Sequence, residues 1–193
     1  MMMAYLVLDR YNADALRKIF DENIKGKPYP HIATIKEDAP RYKELLGTDE
    51  FIAEMSGYVL QQADEFLNQE VKPVLQSGSI AGVPSATLPE IMYYAYYMTG
   101  NRAYIEKAIA NIEPILALDT WCAYSHTLSS SKCCMYLANV YDLFRDELTQ
   151  KQRDDIANAL IYRGVQAHFD YMMGRMGNDW PTRDSNWNVI CNV

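Results

Sequence analysis

An all-α fold is predicted by three features of the sequence. Apolar residues recur at helical spacing through most of the chain, helix start and stop signals bracket those stretches, and glycine (9) and proline (8) are too sparse for a turn-dense β sandwich. The 15 tyrosines and 10 methionines suit helices with aromatic faces. At 193 residues, 49% apolar and 22% charged, the chain is long enough for one domain with a sizeable core.

The elements follow in order. From Asn12 a leader helix turns Leu16, Ile19 and Phe20 inward and is broken by Gly26-Lys27-Pro28-Tyr29-Pro30. Residues 1–27 are therefore set apart from the main body, 28–193. Thr34 with Glu37 three residues on reads as an N-cap, and the helix it opens runs through Leu45-Leu46 to Gly47. Thr48-Asp49-Glu50 starts the next, with Phe51, Met55, Tyr58/Val59, Gln62, Phe66 and Val71 on one face to about Leu75, where Pro73 ends or kinks it. The stretch 76–84 is small and flexible in composition. Leu88 to Met98 forms a densely aromatic helix stopped by Gly100, and its tyrosines, Tyr93, Tyr94, Tyr96 and Tyr97, cover more than one face, so it is expected to be largely buried.

Arg102 to Leu118 carries Tyr104, Ile105, Ala108, Ile109, Ile112, Ile115 and Leu116 at helical spacing and pairs with its predecessor through Thr99-Gly100-Asn101. After a looser stretch at Asp119-Thr120-Trp121, helices are expected at His126–Phe144 and from Thr149 to Met173, the second opened by Thr149-Gln150-Lys151-Gln152. The tail from Gly174 to Val193 is polar, aromatic and only partly periodic. The organisation is a series of antiparallel helical hairpins, shared by bundles, solenoids and α/α toroids.

A formal net charge of −7 argues against a general nucleic-acid binder, which needs a concentrated basic surface, although a groove can be locally basic on an acidic protein. The cysteines Cys122, Cys133, Cys134 and Cys191 form no CxxC pair and have no histidine at finger spacing, so they read as reduced, buried thiols, and neither a metal site nor a cofactor is expected. Charges interrupt every apolar run well before about 18 residues, so no membrane span is expected. The start, MMMAYLVLDRYNADALRK, lacks a basic leader and a cleavage site, which leaves a cytoplasmic location or export with the signal already removed. Oligomeric state is not legible.

Four pieces of sequence carry a family resemblance: Pro30-His31-Ile32 before a Lys/Glu-rich helix, the turn Tyr97-Met98-Thr99-Gly100-Asn101, Tyr141-Asp142-Leu143-Phe144 before Leu148-Thr149-Gln150-Lys151-Gln152-Arg153, and Ser185-Asn186-Trp187-Asn188-Val189-Ile190-Cys191-Asn192. Together they resemble the heparinase II/III and alginate lyase group over roughly residues 28 to 193. The resemblance implies that 28–193 is part of an incomplete (α/α) toroid. The Asn-Trp-Asn segment looks like the one that this family places at the floor of its substrate cleft. Such lyases continue with further toroid helices and a β-sandwich domain, so the chain is expected to be the front part of one, which leaves open whether it is active alone.

The resemblance implies cleavage of an acidic polysaccharide or oligosaccharide by β-elimination. A base removes the proton α to the uronate carboxylate and the 4-oxygen leaves. That carbon acid is very weak, and a donor placed on the carboxylate stabilises the developing charge by about 3 to 4 kcal/mol. An Asn amide does this without adding a competing acid. Asn188 is therefore the candidate carboxylate neutraliser, with Asn186 a second contact and Trp187 a sugar-stacking wall; the alternative is an Asn capping a helix beside a core Trp. Trp180 and Arg183 are candidate cleft residues, Arg183 through a bidentate grip on carboxylate, unless they belong to an ordinary charged loop. His126, beside Tyr124, is a further candidate substrate contact, the alternative being a satisfied polar or core histidine. His31 and His168 are weaker candidates. The implied Tyr or His base and acid would lie downstream of Val193.

Two rival readings stand beside this one. An unsaturated glucuronyl hydrolase-like enzyme on a related toroid would need an acid–base carboxyl pair, for which Asp179 and Asp184 are the nearby acids. A non-catalytic helical binding module would use the tail as a cap.

Overall fold

The computed structural model describes residues 35–125 and 127–175, together with Glu22, Gly26, Lys27 and Tyr29. Among the described residues the fold is all-α apart from one small hairpin. Its elements are α1 (Ile35–Thr48), α2 (Glu50–Leu67), β1 (Val74–Gln76), β2 (Ser79–Ala81), α3 (Leu88–Thr99), α4 (Ala103–Ala110), α5 (Ile112–Leu116), α6 (Thr127–Leu143), α7 (Gln150–Ala159), a π-helical turn (Leu160–Val165) and α8 (Gln166–Met172). The predicted leader helix and the Thr34 cap lie outside the described residues.

Successive helices pack on one another: α1 on α2, α2 on α3, α3 on α4, α3 on α6, and α6 on α7 and the π-helical turn. The shared core is built from α3 (Met92, Ala95), α4 and α5 (Ile105, Ala108, Ile112, Ile115), α6 (Cys133, Tyr136, Leu137, Val140) and α7 (Ile156), closed by Phe144. Each fully buried aliphatic or Met side chain contributes roughly 1.5–3 kcal/mol. Tyr136 is buried among them because its hydroxyl is satisfied, donating to the Ala108 carbonyl at 3.0 Å and accepting from the Asn111 amide at 3.2 Å. Phe144 meets the buried Tyr93 edge-on, with ring centroids 5.6 Å apart.

The punctuation signals act as expected at several helix ends. Asp49 caps α2, accepting from the Ile52 N–H at 3.1 Å. Gly100 ends α3 at φ 73°, a left-handed conformation that costs a Cβ-free residue nothing. Thr149 and Gln152 form a full capping box at the start of α7. Tyr93 on α3 is buried, while Tyr94, Tyr96 and Tyr97 are half-buried. Cys122 and Cys133 are buried free thiols and Cys134 is a half-buried one; Cys191 lies outside the described residues.

Four expectations are corrected. The N-terminal part of the expected inward stripe of α2 faces solvent, since Phe51, Met55 and Tyr58 are 70%, 47% and 56% exposed, while Phe66 packs inward as expected. The helix instead buries the small residues Ser56 and Ala63, with Leu60, Phe66 and Leu67 packed against the core. Small side chains let helices approach closely, and Ser56 accepts a 2.7 Å bond from the Tyr94 hydroxyl on α3. Second, α2 stops at Leu67 on Asn68, well before Leu75. Third, the segment read as small and flexible contains an antiparallel hairpin, with Val74 opposite Ala81 and Gln76 opposite Ser79. Its two-residue loop, Ser77 at φ 46° and Gly78 at φ 81°, has both φ values positive, as a type I′ turn requires. Fourth, the long segments predicted at 102–118 and 149–173 are interrupted, the first at Asn111 and the second by the π-helical turn.

The π-helical turn packs closely on α6. Gly164 lies so close to Cys134 on α6 that any Cβ there would collide with the thiol sulfur. The two helices meet backbone to side chain at this point, and Ser130 Oγ donates to the Arg163 carbonyl at 3.3 Å, covering a group in the widened turn.

Candidate functional site

Asn188, Trp187, Asn186, Arg183, Trp180 and His126 all lie outside the described residues, as do Asp179, Asp184 and His31. His168 is described and sits half-buried on α8, where burial lowers its pKa below the ordinary imidazole value. Two pieces of the resemblance are also described. The Tyr97–Asn101 turn is the capped end of α3, and the Tyr141–Arg153 stretch joins the end of α6 to the capping box of α7.

The residues that flank the undescribed segments come together at one corner. Tyr124, two positions before His126, donates its hydroxyl to Asp170 Oδ2 at 2.8 Å. Arg175, the last described residue before the tail, donates from Nη1 to Asp170 Oδ1 at 3.1 Å, and Gln166 Nε2 shares that oxygen at 3.1 Å. One carboxylate on α8 thus holds the ends of two segments that sequence reasoning treated separately. The backbone reinforces this, since the Arg175 N–H closes on the Asp170 carbonyl at 2.9 Å after α8.

The turn before His126 is locally forced. Cys122 adopts φ 58°, an uncommon conformation for a residue with a Cβ. Its N–H donates to Thr120 Oγ1 at 3.1 Å and its carbonyl accepts the Ser125 N–H at 3.0 Å. Trp121 anchors the turn from below, almost fully buried, with its indole N–H on the Ile115 carbonyl at 3.1 Å. The hairpin is stitched to the same corner: Ser125 Oγ donates to the Gly78 carbonyl at 2.9 Å, and the Ile80 N–H donates to Ser129 Oγ at 3.0 Å.

Electrostatics follow from the geometry. The Tyr124 hydroxyl, with Arg175 and Gln166, holds the Asp170 carboxyl below its usual value, and the same bond to Asp170 raises the Tyr124 phenol. Tyr124 is therefore a neutral hydrogen-bond donor at physiological pH rather than a base. Its ring is 49% exposed and lies against Tyr171, centroids 6.2 Å apart. The Arg175 side chain is 62% exposed beyond its bond to Asp170. The corner thus sets an exposed tyrosine ring beside an exposed guanidinium that is ion-paired with Asp170.

Sequence reasoning noted Tyr124 only as a neighbour of His126 and did not single out Asp170 or Arg175. Residues 124 and 170 are 46 positions apart, and no local pattern announces such a pair. Among the described residues no group of three His, Cys, Asp or Glu is arranged to hold a metal ion, and no helix is long and apolar enough to cross a membrane. No protein-family model and no curated protein matches this sequence.

Proposed function

We propose that this chain supplies helices and substrate contacts of a polysaccharide lyase that cleaves a uronic-acid-containing glycan by β-elimination. In this reading the paired helices are the front part of an (α/α) toroid. The Ser185–Asn192 segment carries the proposal, through its likeness to the cleft floor of the heparinase II/III and alginate lyase group. The Tyr124–Asp170–Arg175 corner supports it, because the chain enters the tail beside an exposed aromatic ring and a guanidinium.

The division of labour follows from the chemistry. The Asn188 amide donates to the uronate carboxylate and stabilises the charge that develops as the α-proton leaves. Asn186 donates to the same group, and Trp187 and Trp180 stack on sugar faces. Arg183 and His126 bind the anionic chain around the scissile residue.

The test uses the full-length protein with alginate and with glycosaminoglycans, following the absorbance of the new 4,5-double bond. Asn188→Ala is expected to lower kcat by on the order of 10²–10³-fold with unchanged circular dichroism. Absence of absorbance on every acidic polymer, from a protein shown to be folded, overturns the proposal. Turnover unaffected by Asn188→Ala removes Asn188 from its role.

A further inference from the structure

A concave surface lies where α5, α7 and the π-helical turn meet, an open cleft of about 430 Å³. Glu113 and Leu116 come from α5, Asp155 and Asn158 from α7, and Tyr162 and Arg163 from the π-helical turn. Its size falls within the range of small-molecule sites.

The polar groups have distinct states. Arg163 is pinned at the rear: its Nη1 donates to the carbonyls of Leu116 and Leu118 at 2.9 and 2.8 Å, and its guanidinium lies 5.7 Å from the centre of the Trp121 ring. Asp155 is ion-paired with the exposed Lys151 at 2.6 Å, one turn earlier on α7. Among the described residues the Asn158 amide makes no hydrogen bond, and the Tyr162 ring is 70% exposed. Tyr162 and Arg163 are consecutive residues that both line the cleft, on a type of widened helical turn frequently found at functional sites.

From this arrangement we infer that the cleft binds a neutral sugar unit, distinct in charge from the acidic glycan of the proposed reaction. The Glu113 and Asp155 carboxylates are offset by Arg163 in the lining and by Lys151 paired to Asp155, so the cleft has little net charge with which to select an ion. A neutral polyhydroxylated ring needs none. Its hydroxyls donate to Glu113 and Asp155 and exchange hydrogen bonds with Asn158, while its C–H face lies on Tyr162. The inference does not depend on β-elimination and stands or falls separately from it.

Titration of the full chain with methyl β-glucoside, N-acetylglucosamine and cellobiose, read by ligand-observed and protein-observed NMR, tests it. At least one neutral sugar is expected to bind saturably with a Kd on the order of 1 mM, and glucuronate at least about tenfold more weakly. Tyr162→Ala and Asn158→Ala alter exposed side chains and are expected to fold; each weakens binding at least about fivefold. The near-isosteric Asp155→Asn serves as a second check on the polar contact. The inference is overturned if none of the three sugars binds saturably, if the double variant Tyr162→Ala/Asn158→Ala binds as the wild type does, or if glucuronate binds equally well.

Discussion

Gly164 of the π-helical turn and Cys134 of α6 touch so closely that the thiol occupies the space a side chain at 164 would need. Gly164→Ala is therefore expected to destabilise the fold by about 1–3 kcal/mol, the usual cost of forcing extra volume into a packed contact. Urea midpoints at fixed slope measure it. Cys134→Ala should recover part of the loss in the double variant, and strict additivity of the two changes would contradict the contact.

Tyr136 offers a second measurable cost. Its hydroxyl serves both the Ala108 carbonyl and the Asn111 amide in a site sealed from water. Tyr136→Phe keeps the ring and leaves both partners unsatisfied, with an expected loss of about 1–3 kcal/mol in equilibrium unfolding. A neutral result would mean that the two groups find other partners.

The Thr149–Gln152 box satisfies N–H groups at the first turn of α7, which has no other N-terminal cap. Thr149→Ala is expected to cost about 1 kcal/mol, and Thr149→Ser much less, because serine keeps the accepting oxygen. Thermal midpoints of the two variants separate capping from mere loss of a methyl group.

Acid sensitivity follows from two groups on α8. Burial lowers the His168 pKa, so the unfolded chain takes up that proton first and stability falls as pH drops below about 6.5 toward the folded value. Asp170, lowered chiefly by its bond to Tyr124, acts the same way in the carboxylate range: its contribution is present above about 3.8 and is lost as pH falls through the lower folded value. Urea midpoints are expected to be flat between about pH 7 and 8 and to decline in two stages. His168→Gln should remove the upper stage alone and Asp170→Asn the lower; an upper stage that survives His168→Gln would show that another group is responsible.

Helix existence was legible wherever a local signal sufficed: Gly100, Asp49 and Thr149 each act within one turn of the chain and each ended or began a helix as read. Facing was legible in α2 only at Phe66, which packs against the core. Phe51, Met55 and Tyr58 have the right period, but close packing selected the opposite side, where Ser56 and Ala63 permit short approach to the neighbouring helices. The hairpin escaped because three-residue strands carry almost no alternation, although Ser77-Gly78 was a turn signal. The close approach of Gly164 to Cys134 spans thirty positions of sequence, and the Tyr124–Asp170 bond is longer-range still. For the candidate site, the tail supplied residue types at a recognisable spacing, and tertiary structure alone reveals that both flanking segments converge on Asp170.

The pinning of Arg163 has a mechanical meaning. Its two bonds to the carbonyls of Leu116 and Leu118, with Trp121 beneath, rivet the end of α5 to the π-helical turn across more than forty residues of intervening chain. The same guanidinium therefore ties together the residue next to Tyr162, the end of α5 and a sealed indole one residue from Cys122, whose φ is positive.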